Sequence, residues 1–325
     1  MAENNSVLLA VALTLFASAM WGSWMQIIKR CPQYPVYGTT LVIYAVSFTL
    51  LSAACLAAGK WVFPQGLVCY IRAYRGEILR IVIGGASAAL SVLVSLQLMR
   101  NAGLVVGTAV SGAAGSITGV LVAVAKEGLP GVPYAGAALA LCTAVTVLAG
   151  ILCSCASAAN AGETPKERTG VGLQSVLLLA AFVVLNNGYI YATSTGTKAR
   201  MNPLVICLFM SAGAFALTFL VSSVTATVKG QWKEILCIGK SKKPLLFGAA
   251  AAVCHYGGNL LSVLCMPVLS STLSFLIGRS ANIWTFFFGI RLGEFKGAGK
   301  KVRSLLTAGI LLYVLGILLI AFFFY

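Results

Sequence analysis

Aspartate is missing from this chain, and its seven acidic residues are all glutamate: Glu3, Glu77, Glu127, Glu163, Glu167, Glu234 and Glu294. Each falls near a terminus or between apolar runs. A carboxylate inside a membrane is the usual proton relay and the usual partner of a cationic substrate. Its absence argues against proton-driven export of cationic drugs. It also removes the acid pair or metal-bound water that a membrane hydrolase needs. No nucleophile–base pair offers another route to catalysis, so the chain reads as a non-enzyme. Histidine occurs once, as His255, and none of the ten cysteines belongs to a CxxC pair. That leaves too few ligands for a zinc cluster, and neither metal nor cofactor is expected. Charge is scarce at 9% of residues, against about 25% in a soluble domain.

What fills the space is hydrocarbon. Apolar residues make up 59% of the chain, and the mean hydropathy is +0.95. Ten apolar runs stand out, at roughly 6–28, 36–59, 78–99, 102–124, 134–156, 171–193, 203–227, 244–265, 268–290 and 304–324. Each can cross a hydrocarbon core of ~30 Å, which takes about 20 residues at a rise of about 1.5 Å. The connecting stretches are short, leaving nothing for a soluble domain. Met1 to Asn5 carries one acid and no base, unlike the positive start of a secretory signal, so the first run is expected to stay as a span. The expectation is an all-α integral membrane protein with ten transmembrane helices.

The second five runs repeat the first five. With an offset of 166 or 167, Trp21-Gly22 meets Asn187-Gly188, Glu127 meets Glu294, and Ala149-Gly150-Ile151-Leu152 meets Leu315-Gly316-Ile317-Leu318. The fourth run carries Gly103, Gly107, Ser111, Gly115 and Gly119, and the ninth carries Ser270, Ser274, Gly278 and Asn282. A spacing of four keeps such residues on one helix face, where small side chains let backbones approach. Five spans per repeat force the second half to enter the membrane from the opposite side. The domain reading is therefore a first five-helix repeat at 1–156, a polar linker at 157–170 and an inverted repeat at 171–325. Inverted repeats are a common transporter design, with the substrate near the midplane between them.

The net charge is +16. In a soluble protein that would suggest nucleic acid; here the basic residues cluster between spans, and the positive-inside rule explains them, so no nucleic-acid partner is expected. Seven Lys and Arg residues fall on the side holding both termini and fifteen on the other, which includes Lys229, Lys233, Lys240, Lys242 and Lys243. That excess places both termini outside a cell (inner) membrane.

The polar residues inside the runs are the candidates for function. Arg279 sits near the middle of the ninth, where an arginine costs ~2.5–3.5 kcal/mol on insertion scales. No buried carboxylate exists to pair with it, leaving backbone carbonyls, a helix end or the substrate. His255 and Asn259 share a face of the eighth run, suited to a polyol or heterocycle, and His255 could also carry a proton. Asn186 and Asn187 lie in the sixth run, followed by Tyr189, and two amides in hydrocarbon must find partners. Trp21 and Trp24 near the end of the first run fit a gate or an interfacial belt equally well. Trp284 and Asn282 follow Arg279. Aromatic faces beside amides suit sugars and nucleobases.

Trp21-Gly22-Ser23 with Lys29-Arg30 behind it, the run Ser274-Phe275-Leu276-Ile277-Gly278 through Trp284 and Gly289 to Gly293-Glu294-Phe295, and the tail Leu315-Gly316-Ile317-Leu318 resemble the drug/metabolite transporter superfamily. Within it, the chain resembles the branch holding the rhamnose–proton symporter, the glucose/ribose porters and the ureide permeases. The resemblance implies a secondary transporter with alternating access and a small neutral polyol or heterocycle as substrate, most of all a sugar. Two departures are visible. Arg279 stands where a neutral residue is expected, which opens the alternative of a nucleobase, ureide or organic anion anchored there. The span-embedded acid of several proton-coupled relatives is missing, which leaves proton coupling, sodium coupling and facilitated diffusion open. The lipid bilayer and a small molecule are the expected partners, for a monomer or a homodimer.

Overall fold

In hydrocarbon a backbone must satisfy its own amides, and a long apolar run does so by coiling into a helix. The computed structural model describes residues 2–28, 30–31, 33–104, 111–160 and 173–324, and among them no strand occurs. Helix α1 spans Ala2–Ile28, α2 Val36–Ala58, α3 Leu67–Ala73, α4 Arg75–Leu104, α5 Ser111–Glu127 and α6 Ala135–Asn160. Helix α7 spans Leu173–Leu185, α8 Gly188–Lys198, α9 Pro203–Lys229, α10 Trp232–Ile235, α11 Lys243–Gly278, α12 Ala281–Arg291 and α13 Lys300–Phe324. Lys29, Gly107 and the linker from 161 onward lie outside the described residues, while 157–160 continue α6.

Eight segments among the described residues are long and apolar enough to cross a membrane, against the ten expected. Two features account for the difference. Helix α5 has 17 residues and follows 105–110, which are not described. The eighth and ninth runs merge into one 49-residue stretch, Lys243–Arg291.

That stretch is bent inside α11. Pro267 lies just before Ser270, whose backbone sits at φ 67°, ψ 158°, a region that is essentially glycine's alone. Past the bend a new helix begins, and it is capped. Ser270 Oγ accepts from Leu273 N at 3.3 Å, and Glu127 Oε2 accepts from Ser271 N at 2.9 Å. A hydroxyl cap and a carboxylate both favour a helix start, through the free amides and the dipole. Ser270→Ala keeps the strain and loses the cap, and should cost about 1 kcal/mol. Ser270→Gly relieves strain of about 1–3 kcal/mol and should match or exceed the wild type. Thermal unfolding in detergent checks the order; a Gly variant less stable than the Ala variant would contradict it.

The helices pair across the two halves. α1 packs against α11 and α12; α4 packs against α7, α8 and α9; α2 lies on α9 and α11; α5 touches α6, α7, α8 and α11; α6 packs on α13. At the α4–α9 crossing the backbones nearly touch. A side chain at Gly85 would strike the Met210 carbonyl, and one at Gly213 would strike that of Val82. This is small-residue packing, in which helices without a hydrophobic drive gain dispersion by close approach.

Candidate functional site

Two apolar runs are interrupted at mid-length. In the sixth, α7 stops at Leu185 and α8 starts at Gly188, with Asn186 and Asn187 between them. Asparagine competes with the backbone ladder, and Asn187 Nδ2 donates to Val183 O at 2.6 Å. In the ninth, α11 stops at Gly278 and α12 starts at Ala281, with Arg279 and Ser280 forming the turn.

Both interruptions converge on the first turns of α5. Arg279 Nε donates to Ser116 Oγ at 2.8 Å, and its Nη2 donates to Gly112 O at 2.9 Å. Ser116 Oγ itself donates to Gly112 O at 2.7 Å, closing a three-membered network. The guanidinium also lies 5.4 Å from the Phe275 ring. From the other side, Asn187 Nδ2 donates to Thr118 Oγ1 at 3.2 Å. The Asn186 amide occupies the space a side chain at Gly115 would need.

Trp21 joins the second group of candidates, and it does so as a clamp. Its Nε1 donates to Asn259 Oδ1 at 2.9 Å and reaches His255 O at 3.2 Å. Its ring fills the gap left by two glycines. A Cβ at Gly278 would lie 2.6 Å from Trp21 Cζ3, and one at Gly258 2.7 Å from Nε1. Tyr189 meets the ring edge-on, with centroids 5.8 Å apart. Asn259 is buried, so its carbonyl oxygen serves the clamp.

His255 is ringed by aromatics: Trp24 at 5.0 Å, Tyr256 at 5.4 Å and Tyr44 at 5.9 Å between centroids. Among the described residues its Nδ1 is buried without a hydrogen-bond partner, as is Asn187 Oδ1. The Tyr189 hydroxyl hydrogen-bonds Ser262, whose own hydroxyl pairs with Ser274 at 3.0 Å. Buried polar atoms are usually paired, and one left open asks for a ligand, a water or an explanation.

The remaining two candidates lie apart from these groups. Trp284 Nε1 donates to Ser18 Oγ at 3.2 Å, and Ser280 Oγ donates to the same atom at 3.0 Å, tying the interruption to α1. Asn282 is exposed and turned toward α13, where its Nδ2 donates to the Tyr313 hydroxyl at 2.6 Å. Ser18, Ser116 and Thr118 escape a reading of the sequence, since a hydroxyl that bonds its own helix looks the same as one that receives a neighbour. For Ser116 and Thr118, the small-residue face of the fourth run is the signal that points nearest.

An open cavity of about 530 Å³ lies where α2 begins and α9 ends, bounded also by α4, α7 and α10. None of the nine candidate residues lines it.

No protein-family model matches the chain, and no curated protein matches it. Solved structures do, nineteen chains in all. One, a crystal structure, superposes with a TM-score of 0.60 at 14% identity over 95% of this chain and 95% of the other. At that identity the likeness is one of fold.

Proposed function

We propose that this chain is a secondary transporter of the drug/metabolite transporter superfamily. In this reading ten spans form two inverted five-helix repeats, and a small neutral polar metabolite, a sugar in the first place, crosses by alternating access. The carrying observation is the convergence of two mid-length helix interruptions, Asn186–Asn187 and Arg279–Ser280, on residues 112–118 of one further helix. In inverted-repeat transporters the substrate site lies where the two repeats meet, and these turns bring polar side chains of both halves to one such place. Among the described residues, the buried Asn187 Oδ1 and His255 Nδ1, both without a hydrogen-bond partner, supply unmet hydrogen-bonding capacity in the same helices.

The packing favours a repeat. The first span lies against α11 as the sixth, α7 with α8, lies against α4; it lies against α12 as α7 lies against α5. The pairs α2–α9 and α6–α13 each join a helix to its own counterpart. Exchanging the halves preserves these pairs. A neutral cargo suits the chemistry of Arg279. Among the described residues its two hydrogen bonds go to neutral acceptors, out of a guanidinium's five N–H donors. Loop charge supports a multi-pass protein of a cell membrane with both termini outside.

Counterflow exchange in liposomes tests this reading, with sugars, nucleobases, ureides and small carboxylates as cargo, alongside Tyr189→Phe. Saturable exchange of a neutral sugar is the expected result. Tyr189→Phe gives up the hydroxyl's hydrogen bond to Ser262 and should cost only about 1 kcal/mol of stability. Its half-saturation for the cargo should rise about tenfold, the loss of one hydrogen bond. Exchange of carboxylates alone would move the reading to an anion carrier anchored by Arg279. Exchange of no member of the panel would count against transport.

A further inference from the structure

We infer that the cavity between α2, α4, α7, α9 and α10 is a vestibular binding site for a net-neutral polar molecule with one apolar face. It rests on the transporter reading, because it makes this cavity the mouth of the path that leads to Asn187 and Arg279.

The cavity is a built space. Helix α10 is held over the start of α2 by the Tyr34 hydroxyl, which donates to Ile235 O at 2.7 Å, and by the Tyr37 hydroxyl, which donates to Gln231 Oε1. Ser222 Oγ on α9 donates to Tyr37 O at 2.8 Å and joins the third wall. Burial, aided by Cys237, raises the Tyr34 phenol above its ordinary value, so it stays a donor across the physiological range. A volume of about 530 Å³ falls within the ~300–1,000 Å³ of small-molecule sites.

The lining selects a class of ligand. Gln33, Gln231 and Thr225 offer donors and acceptors together, while one cation, Lys229, and one carboxylate, Glu234, leave no net charge. Lys229 Nζ lies 5.7 Å from the Tyr37 ring, and Glu234 meets the exposed Lys240 at 4.0 Å. The facing wall is apolar, made by Leu90, Leu93, Val94 and Leu178. A ring with hydroxyls or amides on one side and C–H groups on the other satisfies both walls. A bare anion or cation would meet one matching charge, one opposing charge and hydrocarbon.

Its position fits a mouth. Helices of both halves line it, and side-chain contacts cross the far end of the bundle. There, Lys198 Nζ donates to Lys126 O at 3.4 Å, Lys126 Nζ lies 4.2 Å over the Tyr191 ring, and Glu127 holds the Ser271 amide. The open end is also the end that carries the larger share of basic residues.

The test is Thr225→Cys in the full chain in liposomes, labelled with a membrane-impermeant maleimide. Peptide-resolved mass spectrometry separates the new thiol from the ten native cysteines. The probes are glucose, ribose, rhamnose, uracil and allantoin, with succinate and inorganic phosphate as charged controls. The expected result is ready labelling, slowed about tenfold by at least one neutral probe at ten times its dissociation constant, and not by the controls. In a Gln231→Leu background that protection should vanish. A thiol that does not label, protection by no probe, equal protection by an anion, or protection that survives Gln231→Leu each overturns the site. A probe that exchanges in counterflow yet leaves labelling unchanged overturns the vestibule and leaves the transporter standing. Protection that depends on Gln231 without any exchange supports the site and removes the transporter.

Discussion

Trp21→Ala should unfold this protein far more readily while telling little about its cargo. The indole fills the gap between Gly258 and Gly278, and its N–H satisfies the buried Asn259 carbonyl and shares in that of His255. Truncating a buried tryptophan costs about 3–5 kcal/mol through lost transfer energy and the void left behind. The orphaned Asn259 oxygen adds a penalty of about 1–3 kcal/mol. The expected fall in the thermal midpoint is on the order of 10 °C, at about 2–4 °C for each kcal/mol in a chain of this size class. Trp21→Phe keeps most of the volume and loses the donor, so it should fall between the two. Gly278→Ala should also destabilise, because it drives a methyl into the ring. Thermal unfolding in detergent, without ligand, separates the roles. A substrate platform would lose exchange at an unchanged midpoint; that outcome would remove the clamp.

The fate of Trp21 shows what was legible in the sequence. An aromatic residue near the end of an apolar run, with basic residues behind it, reads as a belt or a gate because only its neighbours in sequence are visible. The residues that claim it, Gly258, Asn259 and Gly278, lie more than two hundred positions away. The apolar runs were legible because length and composition decide them locally. So were Asn186, Asn187 and Arg279, as residues that a span cannot carry without a reason. Their meeting on α5 was not, since Ser116 and Thr118 hydrogen-bond their own helix and leave no mark in the pattern. The bend at Ser270 was half visible. Pro267 signals a boundary between the two runs, but the left-handed serine three residues on, and the cap that starts the next helix there, leave no mark in the pattern. The cavity was invisible, because five elements scattered from residue 33 to residue 234 build it.

Arg279→Met should do the reverse of Trp21→Ala, sparing the fold and impairing the path. When one member of a buried ion pair is removed, an uncompensated charge remains and the loss is large. Among the described residues Arg279 has no such partner. Ser116 Oγ already donates to Gly112 O at 2.7 Å, so both acceptors keep a hydrogen bond after the guanidinium has gone. Methionine preserves much of the volume and removes a desolvated charge, a change often neutral or stabilising. The midpoint should therefore move by only a few degrees. Exchange should not be spared. An arginine within a span costs ~2.5–3.5 kcal/mol to insert, and neutral acceptors offset that poorly, so under the proposed transport reading its charge serves contacts to the cargo. Losing one charged hydrogen bond to cargo, about 1.5–3 kcal/mol, lowers exchange roughly 10- to 100-fold. Arg279→Gln, which keeps an amide donor, should sit between wild type and Met for a neutral sugar and be as inactive as Met for an anion. Wild-type exchange by Arg279→Met would reduce Arg279 to a tie between α5 and the α11–α12 turn. Collapse of its midpoint would show that the three-membered network cannot close without the guanidinium.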